Sequence, residues 1–125
     1  VAGLAAIRHS RAKVVTAGMD RMTFMHPVYV GNLVTVRATV NAAWRTSMEV
    51  GVRVESEDVR TGERRHTSSV YLTMVALDDQ GRPTEVPPLE PETEEERRRQ
   101  REAQLRRDVR LSEREQILAG RGGVD

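Results

Sequence analysis

The sequence contains no cysteine among its 125 residues. This absence excludes a disulfide framework, a thiolate metal site and a cysteine nucleophile. The sequence also has no apolar run near the roughly 20 residues that a membrane-spanning helix needs. No basic segment followed by an apolar one opens the chain, as a secretory signal peptide would. We therefore expect a soluble, cytoplasmic domain that does not bind a membrane.

Aromatic residues and an excess of one charge are also lacking. Only four aromatic residues occur, so the core must be built from Val, Leu, Ala and Met. The 20 basic and 19 acidic residues leave a formal net charge of +1. Bulk charge therefore gives no attraction to nucleic acid or to an anionic membrane. The chain length leaves room for one hydrophobic core.

Alternating apolar and polar residues predict an antiparallel sheet. The run from Lys13 to Met25 is rich in β-forming residues and predicts one strand, which ends at His26-Pro27. Two further strands are predicted where apolar residues alternate with polar ones, over 34–40 and 48–54. The run from Thr67 to Leu77 is apolar or small on both faces, which indicates a central strand. Short polar connections favour a meander of neighbouring strands.

The two ends of the chain carry helical patterns. Val1, Leu4 and Ile7 fall on one helical face without a capping residue before them, which predicts a helix that begins upstream of Val1. After Asp78 a proline-rich loop leads to a charged helix, whose start is marked by a Thr93–Glu96 capping box. We predict one domain over 1–89 and a helical extension over 90–125. Glu-to-Arg pairs four residues apart are expected along that helix, at Glu94–Arg98, Glu95–Arg99 and Glu102–Arg106.

No motif in the sequence identifies a catalytic or metal site by itself. The histidines have no ligand spacing, so we expect His9 to cap the first helix and His26 and His66 to lie in loops or on the surface. Asp20 and Glu49 are candidate general bases, with a structural ion pair as the alternative for each. The arginine-rich helix has matching carboxylates and no aromatic residue to stack a base, so no nucleic-acid partner is expected.

Three segments occur in a specific order along the chain. Residues 8–34 contain VVT followed by D, F, PV and G, residues 44–50 read WRTSMEV, and residues 75–99 contain VALDDQGRPTEVPPL. Together they resemble the hotdog-fold acyl-CoA thioesterases, in particular the acyl-CoA hydrolase branch, up to about residue 110 of the chain. The resemblance implies an α+β fold in which an antiparallel sheet wraps a long helix. The first strand and the helix start would lie upstream of Val1, and a C-terminal helix would follow the domain.

The resemblance also implies a function. It predicts a thioesterase of lipid metabolism that releases a carboxylic acid and free coenzyme A from acyl-CoA, without a further cofactor or metal. The family's catalytic Asp lies near the helix start, so it falls upstream of Val1 and no catalytic residue is expected within the chain. A homo-oligomer is implied, at least a dimer and in this branch a hexameric trimer of dimers. The alternatives are a non-catalytic protein that binds or senses acyl-CoA, and an interaction protein that acts through its C-terminal helix.

Substrate-binding residues are carried over only onto matching positions. Val15 and Thr16 would line the acyl and pantetheine channel, and Phe24 would wall the thioester pocket, with a place in the core as the alternative for each. The turn at Arg45, Thr46 and Ser47 offers hydroxyls to the substrate, although Thr and Ser also favour such turns for local reasons. An arginine fork suits the phosphates of coenzyme A. Arg45 is best placed for them, with Arg64 and Arg65 as further candidates.

Overall fold

A computed structural model describes residues 1–20 and 22–121. Its elements are, in chain order, α1 (Ala2–Ser10), β1 (Lys13–Met19), β2 (Thr23–Phe24), β3 (Leu33–Ala43), β4 (Ser47–Glu57), β5 (Arg64–Leu77) and α2 (Glu94–Arg121). The chain divides into two compact units, Val1–Leu89 and Glu90–Asp125. Neither helix in the described part of the chain is long and apolar enough to cross a membrane.

The first unit is built on one antiparallel sheet. The strand order is β1-β5-β4-β3, and β2 pairs with β5 beside β1. The predicted meander and the predicted central strand are therefore confirmed, since β3, β4 and β5 are consecutive neighbours and β5 is paired on both sides. A tight turn joins β4 to β5, in which the Gly62 backbone N–H donates to the Asp58 carbonyl at 2.7 Å. Gly62 has a φ of 75° there, a conformation that glycine adopts without steric cost.

The prediction of one continuous strand from Lys13 to Met25 is wrong. The strand is interrupted between Met19 and Thr23, although both pieces pair with β5. A register shift between Thr16 and Gly18 adds one residue to β1, and such a bulge bends and twists a strand. The chain nevertheless stays beside β5 beyond β1, because the Asp20 N–H donates to the Tyr71 carbonyl at 2.9 Å.

The core lies between α1 and one face of the sheet. Its buried side chains are Ala6 of α1, Met48 and Val50 of β4, Met74 and Ala76 of β5, and Val86 from the segment after β5. Alternate residues of a strand point to the same face, so the alternation read in the sequence placed the β4 residues correctly. Val86 also closes the end of the sheet, since its N–H donates to the Arg45 carbonyl at 2.8 Å.

The C-terminal end of α1 is capped by residues other than His9. Arg11 adopts the left-handed conformation with a φ of 57°, and its N–H donates to the Ile7 carbonyl at 2.7 Å. The Ser10 hydroxyl donates to the Ala6 carbonyl at 2.8 Å. These bonds satisfy the last carbonyls of the helix, so the predicted cap by His9 is wrong. The His9 Nε2 atom instead lies 2.8 Å from the Pro87 carbonyl oxygen and ties α1 to the segment after β5.

The face of the sheet opposite α1 holds a buried polar pair. Glu49 is 1% exposed, and the Asn41 amide donates to its carboxylate at 3.0 Å. Asn41 is the extra residue of a bulge in β3, which turns its side chain over Gly51. A β-carbon at Gly51 would lie 2.6 Å from the Asn41 Nδ2 atom, so this close approach requires glycine.

The other two histidines differ in their placement. His26 is exposed after β2, as predicted. His66 lies half-buried within β5, with Nε2 2.7 Å from the Ser69 hydroxyl, so the prediction of a loop or surface position is wrong. The pattern did not reveal this because the apolar run that marks β5 begins only after His66.

The second unit contains the predicted capping box. The Glu96 N–H donates to the Thr93 hydroxyl at 3.1 Å, and the Glu96 carboxylate accepts from the Glu92 N–H at 2.9 Å, one residue earlier than in the standard box. The expected pair Glu95–Arg99 forms at 2.8 Å. The expected Glu94–Arg98 pairing is replaced: Arg97 and Arg101 lie 3.1 and 3.3 Å from Glu94, and Arg98 bonds to Glu102 at 3.4 Å.

We expect Gly51→Ala to lower the free energy of unfolding by about 1–3 kcal/mol, because the new methyl group must displace Asn41 from Glu49. Urea unfolding followed by circular dichroism measures the change. Gly18→Ala is the matched control, since a β-carbon at Gly18 in β1 meets no heavy atom within 4 Å. Equal destabilisation by the two substitutions would contradict this account of Asn41.

Candidate functional site

Val15 and Ser47 come together at the end of the sheet where β4 begins and β5 ends. Val15 pairs with Val75 from one side, and Ser47 pairs with Val75 from the other. Residues opposite each other in a sheet share a face, and neighbouring strands lie about 4.8 Å apart. Val15 and Ser47 therefore lie on one face, about 10 Å apart across β5. This face is the one opposite α1.

Thr16 lies on the other face of the same strand. It pairs with Met74, and its hydroxyl donates to the Met74 sulfur at 3.3 Å. Met74 belongs to the core beneath α1. Thr16 is nevertheless exposed, so a ligand that approaches from the α1 side of the sheet can contact it. The structure therefore divides Val15 and Thr16 between two surfaces.

Backbone bonds fix the turn that holds Arg45, Thr46 and Ser47. The Trp44 N–H donates to the Ser47 carbonyl at 2.8 Å, and the Ala76 N–H donates to the Thr46 carbonyl at 3.0 Å. Within the residues that the structure describes, the hydroxyls of Thr46 and Ser47 and the Arg45 guanidinium make no bond to protein. The turn is thus rigid in its backbone while its side chains are free to contact a ligand.

Phe24 lies far from this end of the sheet within one chain. It pairs with Ser68, seven positions before Val75 along β5, which corresponds to about 24 Å. Phe24 is 71% exposed. It lines a separate cleft of about 470 Å³ together with Met25, His26, Pro27, Val28 and Thr67.

Arg64 and Arg65 are also remote from Arg45. Both stand at the start of β5, the opposite end from Val75. The Arg64 guanidinium pairs with Glu57 at 3.2 Å, and that of Arg65 pairs with Glu63 at 2.8 Å. Arg64 and Arg65 therefore bind local carboxylates and do not join the turn.

The two candidate general bases occupy different surroundings. Asp20 is half-buried between β1 and β2. Glu49 is buried and accepts the Asn41 amide, so it is closed to a reacting water and serves the structure of the sheet. Across residues 1–20 and 22–121, no group of three or more His, Asp or Glu side chains is arranged to hold a metal ion.

A second cleft, of about 650 Å³, opens where α1 ends and β1 begins. Its lining combines cations, carboxylates and apolar side chains: Ile7, Arg11, Ala12, Lys13, Leu77, Asp78, Asp79 and Thr84. We refer to it as the corner cleft. The sequence pattern did not predict this site, although the basic run RHSRAK over 8–13 lies beside it. What the run could not show is that the chain after β5 folds back beside it.

One ionisable group on the sheet has a shifted pKa. The Arg53 guanidinium donates to the Glu55 carboxylate at 2.8 Å and holds the pKa of Glu55 below its ordinary value. Desolvation acts against this shift, and the charges of Arg37 and Arg64 add to it. Glu55 lies at the end of β4 that is remote from Ser47. Its lowered pKa therefore bears on the stability of the fold and not on the candidate site.

Comparison with known proteins gives consistent relatives. A family model described as the thioesterase superfamily matches residues 1–63. Protein VdlD of Helicobacter pylori is 44% identical over 110 residues, which cover 88% of this chain and 63% of that protein. The uncharacterized acyl-CoA thioester hydrolase YkhA of Bacillus subtilis is 43% identical over 77% of this chain and 56% of its own length. The chain thus spans less than two thirds of these curated relatives.

Solved structures show the same similarity. An apo-hexameric acyl-CoA thioesterase matches with a TM-score of 0.85 and 43% identity, over 90% of this chain and 72% of the other. The acyl-CoA hydrolase of Bacillus cereus matches with a TM-score of 0.84 and 41% identity, over 95% and 74%. That of Staphylococcus aureus, in complex with butyryl coenzyme A and coenzyme A, matches with a TM-score of 0.81 and 36% identity, over 94% and 74%.

We expect Arg53→Gln to raise the pKa of Glu55, measured by NMR titration of its carboxyl group. A pKa lowered in the folded state stabilises the protein above the unfolded pKa and loses that effect as pH falls through the folded value. The stability difference between wild type and variant should therefore be present at neutral pH and disappear in acid. Arg60→Gln is the control, since Arg60 is 90% exposed and lies 4.0 Å from Asp58. An unchanged Glu55 pKa in Arg53→Gln would contradict this assignment.

Proposed function

The chain belongs to the thioesterase superfamily, and on that premise we propose that it hydrolyses acyl-CoA to a carboxylic acid and free coenzyme A. The resemblance found in three sequence segments is confirmed, and so is the α+β hotdog class that it implied. The activity is proposed for the whole protein, because the chain covers 63% of its relative VdlD.

One observation carries the proposal. The acyl-CoA hydrolase of Staphylococcus aureus, solved with butyryl coenzyme A and coenzyme A, matches 94% of this chain with 36% identity. The similarity therefore extends over both the sheet and the turn described above. The reaction requires only water besides the thioester, so the proposal includes no further cofactor.

The chemistry assigns distinct roles to a catalytic acid and to the binding residues. Water adds to the thioester carbonyl carbon, the carbon–sulfur bond breaks, and the leaving thiolate takes up a proton. The Staphylococcus aureus structures include variants in which an aspartate or a threonine is replaced by alanine, the threonine 17 positions after the aspartate. We take Thr16 as the counterpart of that threonine. The aspartate would then fall upstream of Val1, where the resemblance places the catalytic acid.

The end of the sheet supplies the groups that we assign to the substrate. Val15 presents an apolar wall, and the hydroxyls of Thr46 and Ser47 have no bond to the described part of the protein. The thioester arm would lie against Val15, with its amide groups near these hydroxyls. The exposed Arg45 guanidinium remains a candidate for a phosphate of coenzyme A.

We propose that Phe24 reaches the thioester from a second copy of the chain. β1 and β2 pair only with β5 among the described strands, so their outer edge is free to pair with another strand. Exposed apolar side chains of Met19, Met22, Phe24 and Met25 accompany this edge. Pairing of two copies here would give a dimer with one continuous sheet, and three dimers would give a hexamer, the state named for a solved relative.

We also propose that the protein acts in the cytoplasm, in lipid metabolism. The cytosolic acyl coenzyme A thioester hydrolase of Rattus norvegicus is 35% identical over 79% of this chain and 26% of its own length. Its name supports a cytoplasmic site of action for the present protein.

We expect the whole protein, which includes the residues upstream of Val1, to release free thiol from a panel of short to long acyl-CoA thioesters, measured with a chromogenic thiol reagent. Ser47→Ala should lower kcat/KM by about 2- to 12-fold, the value of one hydrogen bond to the substrate. Ser112→Ala is the control, because Ser112 is exposed on α2. This substitution should leave kcat/KM unchanged. Saturable acyl-CoA binding without any thiol release would contradict hydrolysis and favour a protein that senses acyl-CoA.

We expect Phe24→Asp to shift the oligomer toward monomer, because a charge would be buried at the paired edge. Light scattering after size-exclusion chromatography measures the mass. Val59→Asp, at a 62% exposed position in the β4–β5 turn, is the control. An unchanged mass for Phe24→Asp would refute the paired edge.

A further inference from the structure

The strand β2, which carries Phe24, has few contacts of its own to hold it in place. It consists of two residues, Thr23 and Phe24, and both are exposed. Their pairing partners are Ser69 and Ser68 of β5. A segment with few buried contacts opens easily unless its backbone bonds are held firmly. The position of Phe24 therefore depends on how β5 is fixed at these two serines.

A bulge in β5 lies directly beside β2. Thr67 is its extra residue, because the residues before and after it pair with consecutive residues of β4. Such a bulge interrupts the ladder and changes the direction of the strand. The Thr67 carbonyl accepts the Met25 N–H at 2.8 Å and the His26 N–H at 3.4 Å. The bulge therefore holds the chain at the point where it leaves Phe24.

The His66 side chain bonds to the two residues that follow the bulge. Its Nε2 atom lies 3.1 Å from the Ser68 carbonyl oxygen and 2.7 Å from the Ser69 hydroxyl oxygen. Ser68 and Ser69 are the same two residues that pair with β2. The imidazole is half-buried, and a hydrogen bond in such surroundings is stronger than one in water. We refer to His66, Ser68 and Ser69 as the β5 clamp.

The distance between His66 and Ser69 would also suit a nucleophile and its general base. A base must present an unprotonated nitrogen to the hydroxyl. The Ser68 carbonyl can only accept a hydrogen bond, so the Nε2 atom of His66 carries the proton. One N–H shared between two oxygens is a common arrangement. His66 is therefore a donor to both serines, and the geometry favours a structural task over proton abstraction.

The bulge is also held from the opposite side of the strand. The Thr67 hydroxyl donates to the Ser56 hydroxyl at 3.1 Å, and both residues are buried. This bond fixes the side chain of the bulged residue. The β5 clamp fixes the two residues after it, which the Thr67–Ser56 bond does not reach.

We propose that His66 is a positioning residue for Phe24. By bonding to Ser68 and Ser69, it fixes the part of β5 on which β2 is built, and so sets where the Phe24 ring stands. The role of that ring at the thioester rests on the function proposed above. The effect of His66 on the backbone of β2 does not rest on it, and the two can be measured separately.

Amide hydrogen exchange of the whole protein, followed by NMR at Met25 and His26, tests the β5 clamp. We expect His66→Leu to speed the exchange of both amides about tenfold, the order expected when one or two hydrogen bonds are lost. His66→Gln should restore slow exchange, since the glutamine amide offers N–H donors to the same oxygens. His9→Leu is the matched control, because His9 is also half-buried and its Nε2 atom lies 2.8 Å from the Pro87 carbonyl oxygen.

Two results would overturn the proposal. One is unchanged exchange at Met25 and His26 in His66→Leu, and the other is equal acceleration in His9→Leu, which would mean a general loosening of the fold. Ser69→Ala provides a second variant if His66→Leu does not fold. It removes one of the two bonds and should speed the exchange about threefold. No acceleration in Ser69→Ala would likewise count against the β5 clamp.

Steady-state kinetics with acyl-CoA tests whether His66 acts through Phe24. We expect His66→Leu to raise KM about fivefold with little change in kcat, since a displaced wall weakens the binding of substrate and transition state alike. In a Phe24→Ala background the same substitution should leave KM unchanged, because the ring to be positioned is gone. An equal rise in KM in both backgrounds would refute the positioning role. Wild-type protein that releases no thiol would contradict the proposed hydrolase only, because the exchange measurement needs no turnover.

Discussion

Backbone pairing on both sides of β5 is the constraint on which the first unit depends. β5 bonds to β4 along most of its length, while β1 and β2 pair with its opposite side. A central strand satisfies its polar backbone without water, so its side chains can be apolar on both faces. This pairing also fixes where the candidate functional residues lie along the sheet. Residues opposite Val75 meet at one end, and residues opposite Ser68 lie at the other.

A strand bulge and a helix cap place particular side chains within this arrangement. The bulge at Asn41 turns an amide toward Glu49, and Gly51 leaves the space for it. The cap at Arg11 ends α1 and directs the chain into β1. Val86, bonded to the Arg45 carbonyl, fixes the turn that presents Thr46 and Ser47. The backbone of the candidate site is therefore rigid, and its unbonded hydroxyls and cations belong to residues whose backbone is held by hydrogen bonds.

Much of this fold was predictable from the sequence because its signals are local. The alternation from Met48 to Val54 and the apolar run ending at Leu77 identified β4 and β5, and Thr93 with Glu96 identified the start of α2. The break after Met19 was not predictable, since a bulge depends on pairing with a distant strand. For the site, the turn at 45–47 was found through resemblance. The corner cleft was not predictable because only the fold brings Asp79 and Arg11 to the same cleft. The distance of Phe24 from the Val75 end became clear only from the register along β5.

The placement of ligand at the Val75 end of the sheet is tested most directly by NMR. Coenzyme A would be titrated into the isotope-labelled protein while the amide signals are followed. The account predicts that the largest shifts fall on residues 15–16 and 45–47 at this end of the sheet, accompanied by a shift of Phe24 from the second copy. Shifts confined to Phe24–Val28 and Thr67, around the other cleft, would contradict it.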